Sequence, residues 1–331
     1  MTDPPRLLIV VHERPGMREA IARELPGVPF RFLAEVDRAE VGSVEAALLG
    51  SMGRDATRWE PSEFPRLRFV QRAFTGVDDL PFDRLPPGVE VAGNVGAYAP
   101  FVAEHALALA LASGRCLLLG SAAVAAGRSR PPPELRTLRG ETAVVLGYGE
   151  IGRALSERLR SFGAEVVGLN RTGTPAPGAA RMFPADRLRE ALGAGGIVFD
   201  ARPLTTLTLG SIGAAELAAM REEATLVNVG RGATVDQEAL FRHLESHPRF
   251  RAALDVWWDE DFAEGRLTMR FPFPSLPNFV GTPHWAGFAP GVQEVALGRA
   301  LENLRRFFAG DRPRYVVDRA EYAGLRRGGG P

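Results

Sequence analysis

The chain contains no lysine: all 40 of its basic side chains are arginine, balanced by 40 carboxylates for a formal net charge of zero over 331 residues. That absence removes whole reaction classes. The nucleotide loop GxxxxGK[ST] needs its lysine, Schiff-base and pyridoxal chemistry need an amine, and short-chain, amino-acid and β-hydroxyacid dehydrogenases rely on a catalytic lysine. Every cation available here is a planar, permanently charged guanidinium. A single cysteine, Cys116, excludes an internal disulfide and a thiolate metal site, and its apolar surroundings (HALALALASGRCLLLG) read as those of a buried structural thiol. No metal is expected. There is no long run of one charge sign, which argues against a nucleic-acid footprint or a membrane-surface patch. No stretch approaches the roughly 18 uninterrupted apolar residues of a membrane span. The apolar run in MTDPPRLLIVVHERPG is too short for a secretory signal and reads as a first strand. A soluble cytoplasmic protein is the expectation.

What is present is the punctuation of a parallel α/β protein. With 45% hydrophobic residues the chain can build two cores. Short apolar runs (Leu7 to Val11, Arg68 to Gln71) alternate with helical segments such as MREAIARELPG, and Pro and Gly mark the joins. A long amphipathic helix is expected from about Pro100 to Leu119. The Pro-rich stretch SRPPPELRTLRG then marks a domain crossing. From Glu141 the pattern reads strand (AVVL), turn (GYGEIG), helix to about Arg160, stop at Gly163, strand (EVVGL). Further strands are expected at GIVFDA, TLVNVG and FRAALDV. A last helix, GVQEVALGRALENLRRFFAG, returns to the first domain, and the tail RRGGGP should be disordered.

Gly147, Gly149 and Gly152 fit GxGxxG between a strand and a helix, so the segment Gly147, Tyr148, Gly149, Glu150, Ile151 and Gly152 is the expected dinucleotide loop. The first glycine makes the turn, the second admits the pyrophosphate, and the third lets the helix pack closely. At the end of the next strand, where an NAD-preferring site carries a carboxylate, the chain has Asn170, Arg171 and Thr172. A guanidinium there clamps a 2′-phosphate, so NADP(H) is preferred, with NAD(H) as the alternative.

Three downstream residues have the chemistry to polarise a carbonyl and protonate it. Arg231, flanked by Gly230 and Gly232 at a strand end, can hold a carboxylate and an adjacent carbonyl oxygen. His284 follows a strand and a proline and opens into a small-residue loop, whereas His12, His105, His243 and His247 have duller placements, His105 as a packed residue on an apolar helix. Glu260 is the natural partner, since a nearby carboxylate favours the charged imidazole that donates a proton. Asp259 and Asp261 flank it, which leaves that assignment open by one residue. Asp255 contacts either cofactor or backbone.

These residues sit in a series of motifs: FTGVDDLP (74–81), VAEH (102–105), LGYGEIG (146–152), PLTTLT (203–208), LVNVGRGATVDQEAL (226–240), ALDVWWDE (253–260) and TPHWAGF (282–288). In order and content the series resembles the D-isomer-specific 2-hydroxyacid dehydrogenases over most of the chain. The resemblance implies an α/β fold of two Rossmann-like doubly wound parallel-sheet domains, with a cofactor domain inserted into a discontinuous substrate domain and the reaction in the cleft between them. It places a flavodoxin-like substrate domain at 1–95 and 288–331, and the dinucleotide domain at 96–287 with a dimerisation arm at about 100–140. It makes Arg231, Glu260 and His284 the catalytic set, and adds Pro203, Thr208, Val229, Gly230, Asp255 and His284 to the cofactor contacts. By the same match the amides of Phe74, Thr75 and Gly76 hold the substrate carboxylate, together with Arg231 and His284. Phe74, Tyr98, Trp257, Trp258, Trp285 and Phe288 are the aromatics available to line a pocket for an apolar tail.

The family's usual proline after the glutamate is Asp261 here, and a tryptophan often found in the arm is missing. The implied activity is NADP(H)-dependent reduction of a small 2-oxo acid to a D-2-hydroxy acid, glyoxylate and hydroxypyruvate included, by a homodimer. Phosphite or formate oxidation and a nicotinamide-sensing corepressor role are the alternatives. A corepressor should carry long partner-binding tails, whereas the chain shows only a short glycine-rich end.

Overall fold

The computed structural model describes residues 3–50, 59–129, 134–261 and 264–325. The RRGGGP tail lies outside the described residues, as does part of the Pro-rich stretch, at 130–133. The chain divides into two compact units. The first is built mainly from Met1–Tyr98 and Pro290–Gly329. Its strands are β1 (Leu7–Val10), β2 (Phe30–Phe32), β3 (Ala46–Leu49), β4 (Phe69–Arg72) and β5 (Glu90–Ala92), with helix α1 (Met17–Glu24) after β1. All pair in parallel in the order β2-β1-β3-β4-β5, the flavodoxin-like order. The inner strands β1 (LLIV) and β3 (AALL) are apolar throughout because both faces are covered. Leu7, Ile9, Ala46, Leu48 and Phe69 pack with Met17, Ile21, Ala300, Leu301 and Leu304. The alternate residues Leu8, Val10, Ala47, Leu49 and Val70 pack with Trp59, Phe64 and Tyr322 on the other face. The C-terminal helix, Val292–Phe308, closes the first of these faces, with Phe307 stacked on Phe69 at 5.1 Å between centroids.

The second unit comprises chiefly Ala99–Asp261 and Gly265–Ala289. It opens with helices α2 (Ala99–Gly114) and α3 (Leu117–Ala125). Its main strands are β6 (Thr142–Leu146), β7 (Glu165–Leu169), β8 (Arg181–Phe183), β9 (Ile197–Asp200), β10 (Thr225–Asn228) and β11 (Arg251–Leu254). Between them run α4 (Glu150–Ser161), α5 (Leu188–Gly193), α6 (Ala214–Ala218) and α7 (Gln237–Ser246). A small antiparallel hairpin, β12 (Asp259–Asp261) with β13 (Arg266–Thr268), precedes β14 (Phe279–Gly281). The seven-stranded sheet runs β14-β11-β10-β9-β6-β7-β8, parallel throughout. Order reverses on either side of β6 and β9, which defines the switch point where open α/β sheets take ligands.

Two expectations need correction. The single amphipathic helix to Leu119 is instead α2 and α3, bent by 58° at a break where Cys116 adopts φ 52°. α2 is apolar nearly all round, not amphipathic, because it packs against both α4 and strands β10, β11 and β14. At its end Arg251 donates to the carbonyls of Ser113 and Gly114, supplying partners to helix carbonyls that have none within the helix. Cys116 is half-buried at the break rather than enclosed. Among the described residues no single helix is long and apolar enough to cross a membrane.

At the end of α7 the His243 ring stacks on His247 at 4.1 Å and meets the edge of Phe250. Burial, and then the neighbouring His247, lower its pKa from 6.5 to about 4. The unfolded chain therefore binds this proton near pH 6.5 and the folded chain only near pH 4, so stability is present above that window and lost as pH falls through it. The melting temperature of His243→Gln should fall less between pH 7 and pH 4 than that of the parent. Equal falls would refute the assignment.

Candidate active site

The glycine loop lies between β6 and α4, and its glycines are there for space. Gly147 has φ 83°, and a Cβ on it would lie 3.0 Å from the Ala201 carbonyl carbon and the Arg202 nitrogen. A Cβ on Gly152 would lie 2.7 Å from the Gly147 carbonyl oxygen, whereas one on Gly149 meets nothing. Beyond the turn, the amides of Glu150, Ile151 and Gly152 begin α4 with no acceptor among the described residues. An open second glycine beside helix N-terminal amides without an acceptor among the described residues is suited to receive a phosphate group. Tyr148 faces elsewhere: it is 4% exposed and its hydroxyl donates to the Pro177 carbonyl.

At the end of β7 the Asn170 side chain organises the next turn. Its Oδ1 accepts from the amides of Thr172 and Gly173, and its amide donates to the Thr174 carbonyl. Arg171 is held on the exposed side of that turn, and no carboxylate occupies the strand end.

Arg231 follows β10 on a backbone that only glycines permit. A Cβ on Gly230 would lie 2.5 Å from the Arg202 carbonyl oxygen, and one on Gly232 2.2 Å from the Trp257 carbonyl carbon. Asn228, 1% exposed, staples this turn: its Oδ1 accepts from Gly230 N and its Nδ2 donates to the Arg231 carbonyl. Val229 is buried beside it. One strand over, Asp200 is fully buried and accepts from Arg202 at 2.9 and 2.7 Å and from the Thr234 hydroxyl at 2.9 Å. The pair fixes the segment running into Pro203, whose carbonyl accepts from the Thr208 hydroxyl at 2.7 Å.

Glu260 and His284 meet. The imidazole Nδ1 is 3.0 Å from both carboxylate oxygens, and Glu260 Oε1 also accepts the Trp257 amide at 2.9 Å. The neighbours do not compete: Asp259 is exposed, and Asp261 pairs with Arg266 at 3.3 Å across the β12–β13 hairpin. Asp261 thus extends β12 where the family's usual proline would stand.

The loop carrying His284 is fastened by Asp255. The Asp255 carbonyl accepts from His284 N at 2.7 Å, and its carboxylate accepts from Trp285 N at 2.8 Å and Ala286 N at 2.9 Å. His284 itself has φ 58°, a conformation that costs a non-glycine residue about 1 kcal/mol or more and persists only where the surroundings enforce it. The Asp255 side chain is thus bound to the backbone of the His284 loop. Burial alone would raise its pKa, but hydrogen bonds from His105, Thr282, Ala286 and Trp285 hold it below the usual carboxylate value.

In the first unit, Phe74, Thr75 and Gly76 follow β4, and their amides have no acceptor among the described residues. Asn94 donates to the Ala73 carbonyl and its backbone amide donates to the Phe74 carbonyl. Arg72, 2% exposed, donates to the Gly76 carbonyl and pairs with Asp79 at 2.8 Å. Tyr98 stacks on Phe74 at 5.8 Å and donates its hydroxyl to the Ala73 carbonyl, and burial pushes its pKa up to about 12. It is a support for this loop and remains protonated at neutral pH.

The aromatic set separates. Trp257 and Trp258 are packed inward, their indoles donating to the Thr282 and Val235 carbonyls. Trp285 and Phe288 are 58% and 74% exposed. Asn228, Asn94 and Arg72 escape a reading of the sequence. The available signals were a buried-strand asparagine before GRG, and an arginine ending an apolar strand before two aspartates.

A glycine turn able to take a phosphate at the switch point of a parallel sheet, with a carboxylate-paired imidazole after the edge strand β14 of the same sheet, is the arrangement a nicotinamide-dependent oxidoreductase would use. The profile of the "D-isomer specific 2-hydroxyacid dehydrogenase, NAD binding domain" matches residues 107–286, and the chain belongs to that family. It is 36% identical to a Streptomyces coelicolor protein encoded in the mprR 3′ region, over 84% of this chain and 97% of that one. It is 33% identical to the glyoxylate reductase of Aeropyrum pernix, over 78% of each chain. Among solved structures, a Pyrobaculum aerophilum protein provisionally named a formate dehydrogenase superposes with a TM-score of 0.82 at 35% identity, covering 96% of this chain and 99% of that one. A D-isomer specific 2-hydroxyacid dehydrogenase from Xanthobacter autotrophicus Py2, in complex with NADPH and MES, gives 0.79 at 28% identity, covering 97% and 100%.

Gly152→Ala tests the glycine turn. Seating a methyl 2.7 Å from the Gly147 oxygen must lift α4 from the loop, so cofactor affinity should fall about tenfold or more, while β6 and the sheet keep their stability. Fluorescence titration with NADPH and NADH measures it; unchanged affinity for both would place the dinucleotide elsewhere.

Proposed function

We propose that the protein is an NADP(H)-preferring reductase of 2-oxo acids that yields D-2-hydroxy acids. The observation that carries this reading is the Glu260–His284 pair, with both carboxylate oxygens 3.0 Å from Nδ1. Bound nicotinamide supplies the hydride. Arg231 binds the substrate carboxylate and polarises the ketone oxygen. With Nδ1 held by Glu260, His284 gives the proton on Nε2 to the oxygen as it becomes an alkoxide, and Glu260 stabilises the imidazolium before the transfer. In the first unit, the amides of Phe74, Thr75 and Gly76, without an acceptor among the described residues, are the donors suited to a carboxylate. Trp285 and Phe288 are the second unit's aromatics left to meet the substrate's tail, since Trp257 and Trp258 are committed to packing. Arg171, with Thr172, takes the 2′-phosphate.

Formate oxidation is the second reading, favoured by the name of the Pyrobaculum structure. Its chemistry fits less well. Formate gives up hydride to become carbon dioxide and has no hydroxyl proton to exchange, so the Glu260–His284 pair would be idle. Reduction of a 2-oxo acid needs that proton. The exposed apolar residues of α3, Leu117, Leu118, Leu119 and Val124, suit a subunit contact, and we assign the protein to a cytoplasmic homodimer.

Glyoxylate, hydroxypyruvate, pyruvate and phenylpyruvate, each with NADPH and NADH, should give NADPH consumption with at least one acid, and formate or phosphite with NADP⁺ should give none. The reverse result would sink the proposal. His284→Ala should lower kcat about 10²- to 10⁴-fold with cofactor affinity retained. Arg171→Asp should weaken NADPH binding about 10- to 100-fold, the value of one charge-assisted contact, and leave NADH binding nearly unchanged; a parallel loss for both cofactors would show that Arg171 does not read the phosphate.

A further inference from the structure

We propose that His105, on α2, is a positioning residue for His284, acting through Thr282 and Asp255. The proposal rests on the reading of His284 as the proton donor. His105 does not behave as a packed residue of an apolar helix. Its Nε2 lies 2.9 Å from Thr282 Oγ1 and 3.3 Å from Asp255 Oδ1. The Thr282 hydroxyl donates its only proton to Asp255 Oδ1 at 2.6 Å. Nε2 must therefore be the donor toward Thr282, and the hydrogen bonds run in one direction, from His105 to Thr282 to Asp255.

The end of that chain is the group that fixes the catalytic loop. Asp255 is fully buried. Its Oδ1 is shared between Thr282 and the Trp285 amide, its Oδ2 takes the Ala286 amide, and its carbonyl takes the His284 amide. These bonds impose the left-handed backbone on His284, with φ 58°. A buried carboxylate with several donors has several orientations open to it unless each donor is itself held in place. His105 reaches in from a helix that is anchored against the sheet, so it ties both Asp255 and Thr282 to a rigid element. Thr282 lies two residues before His284, which makes the coupling short. Removing the ring leaves Thr282 and Asp255 a missing donor and frees the carboxylate to rotate away from the two amides.

The test pairs His105→Ala with His105→Gln, whose side-chain amide can still donate to Thr282 Oγ1. Three readouts are taken: kcat and KM for the reduced acid, cofactor affinity, and hydrogen exchange of the peptide spanning residues 283–288. In His105→Ala, kcat should fall about 10- to 100-fold, the effect of a small misplacement of a reacting group, while KM and cofactor affinity stay within about threefold. Exchange at Trp285 and Ala286 should quicken without comparable change in β6 or β9. His105→Gln should recover most of both effects, and Thr282→Val should reproduce the exchange change by interrupting the same chain. An alanine variant with parental kcat and exchange overturns the proposal, as does a glutamine variant no better than alanine. If the parent protein turns over no 2-oxo acid, the proposed reaction fails, and the exchange measurements still decide whether His105 holds the loop.

Discussion

Close approach of backbones at the carboxyl edge of the second sheet governs the placement of the turns that carry Arg231 and Glu260 in the candidate site. Gly147, at φ 83°, lies tight against Ala201 and Arg202, while Gly230 against Arg202 and Gly232 against Trp257 approach too closely to admit a Cβ. The contacts form a continuous path: from the dinucleotide loop to the segment after β9, to the turn holding Arg231, and to the turn in which the Trp257 amide binds Glu260. A shift in any one of these strand ends is transmitted to the next through main chain, which bends far less readily than a side chain. The buried polar groups secure the same path. Asp200 clamps Arg202, and Asn228 closes the Arg231 turn. Breaking a buried pair by removing one partner costs about 3–5 kcal/mol, so these groups fix position at a price that only the intact arrangement repays.

The chemistry divides between groups exposed enough to meet a substrate and groups buried to aim them. His284 keeps 26% of its side chain accessible, while its partner Glu260 keeps 9% and Asp255 none. The burial of the acids makes their hydrogen bonds strong and directional. The absence of lysine belongs to the same design. Guanidinium groups bind planar oxyanions in two-point geometry and do not lose their charge on burial, and here they serve as Arg72, Arg202 and Arg251 inside the units as well as on the surface.

Much of this was legible in the residues. The strands at Leu7, Thr142, Glu165, Ile197, Thr225 and Arg251 announce themselves as β-branched or apolar runs bounded by glycine and by helical segments. The fold class follows from their alternation. β3 is different: Ala46–Leu49 consists of alanine and leucine, which favour helices, and it is a strand because β1 and β4 flank it on both sides. The hairpin of Asp259–Asp261 is likewise set by its partner and not by its charged sequence. The pairing of Glu260 with His284, in preference to two adjacent aspartates, depends on a register that only the folded β12–β13 ladder establishes. His105 was hidden for the opposite reason: its sequence neighbours are apolar, and its polar partners come from strand ends about 150 and 177 residues away.

The left-handed backbone at His284 carries a consequence for anyone redesigning this scaffold. At φ 58° the residue that best satisfies the main chain is glycine, and a sequence optimised for backbone conformation alone would write glycine there. Such a protein would leave the dinucleotide loop undisturbed and relax the backbone, but it would strand the Glu260 carboxylate, 9% exposed, without its partner. It would also have deleted its own acid, so conformational relief at this one position and chemical competence select opposite residues.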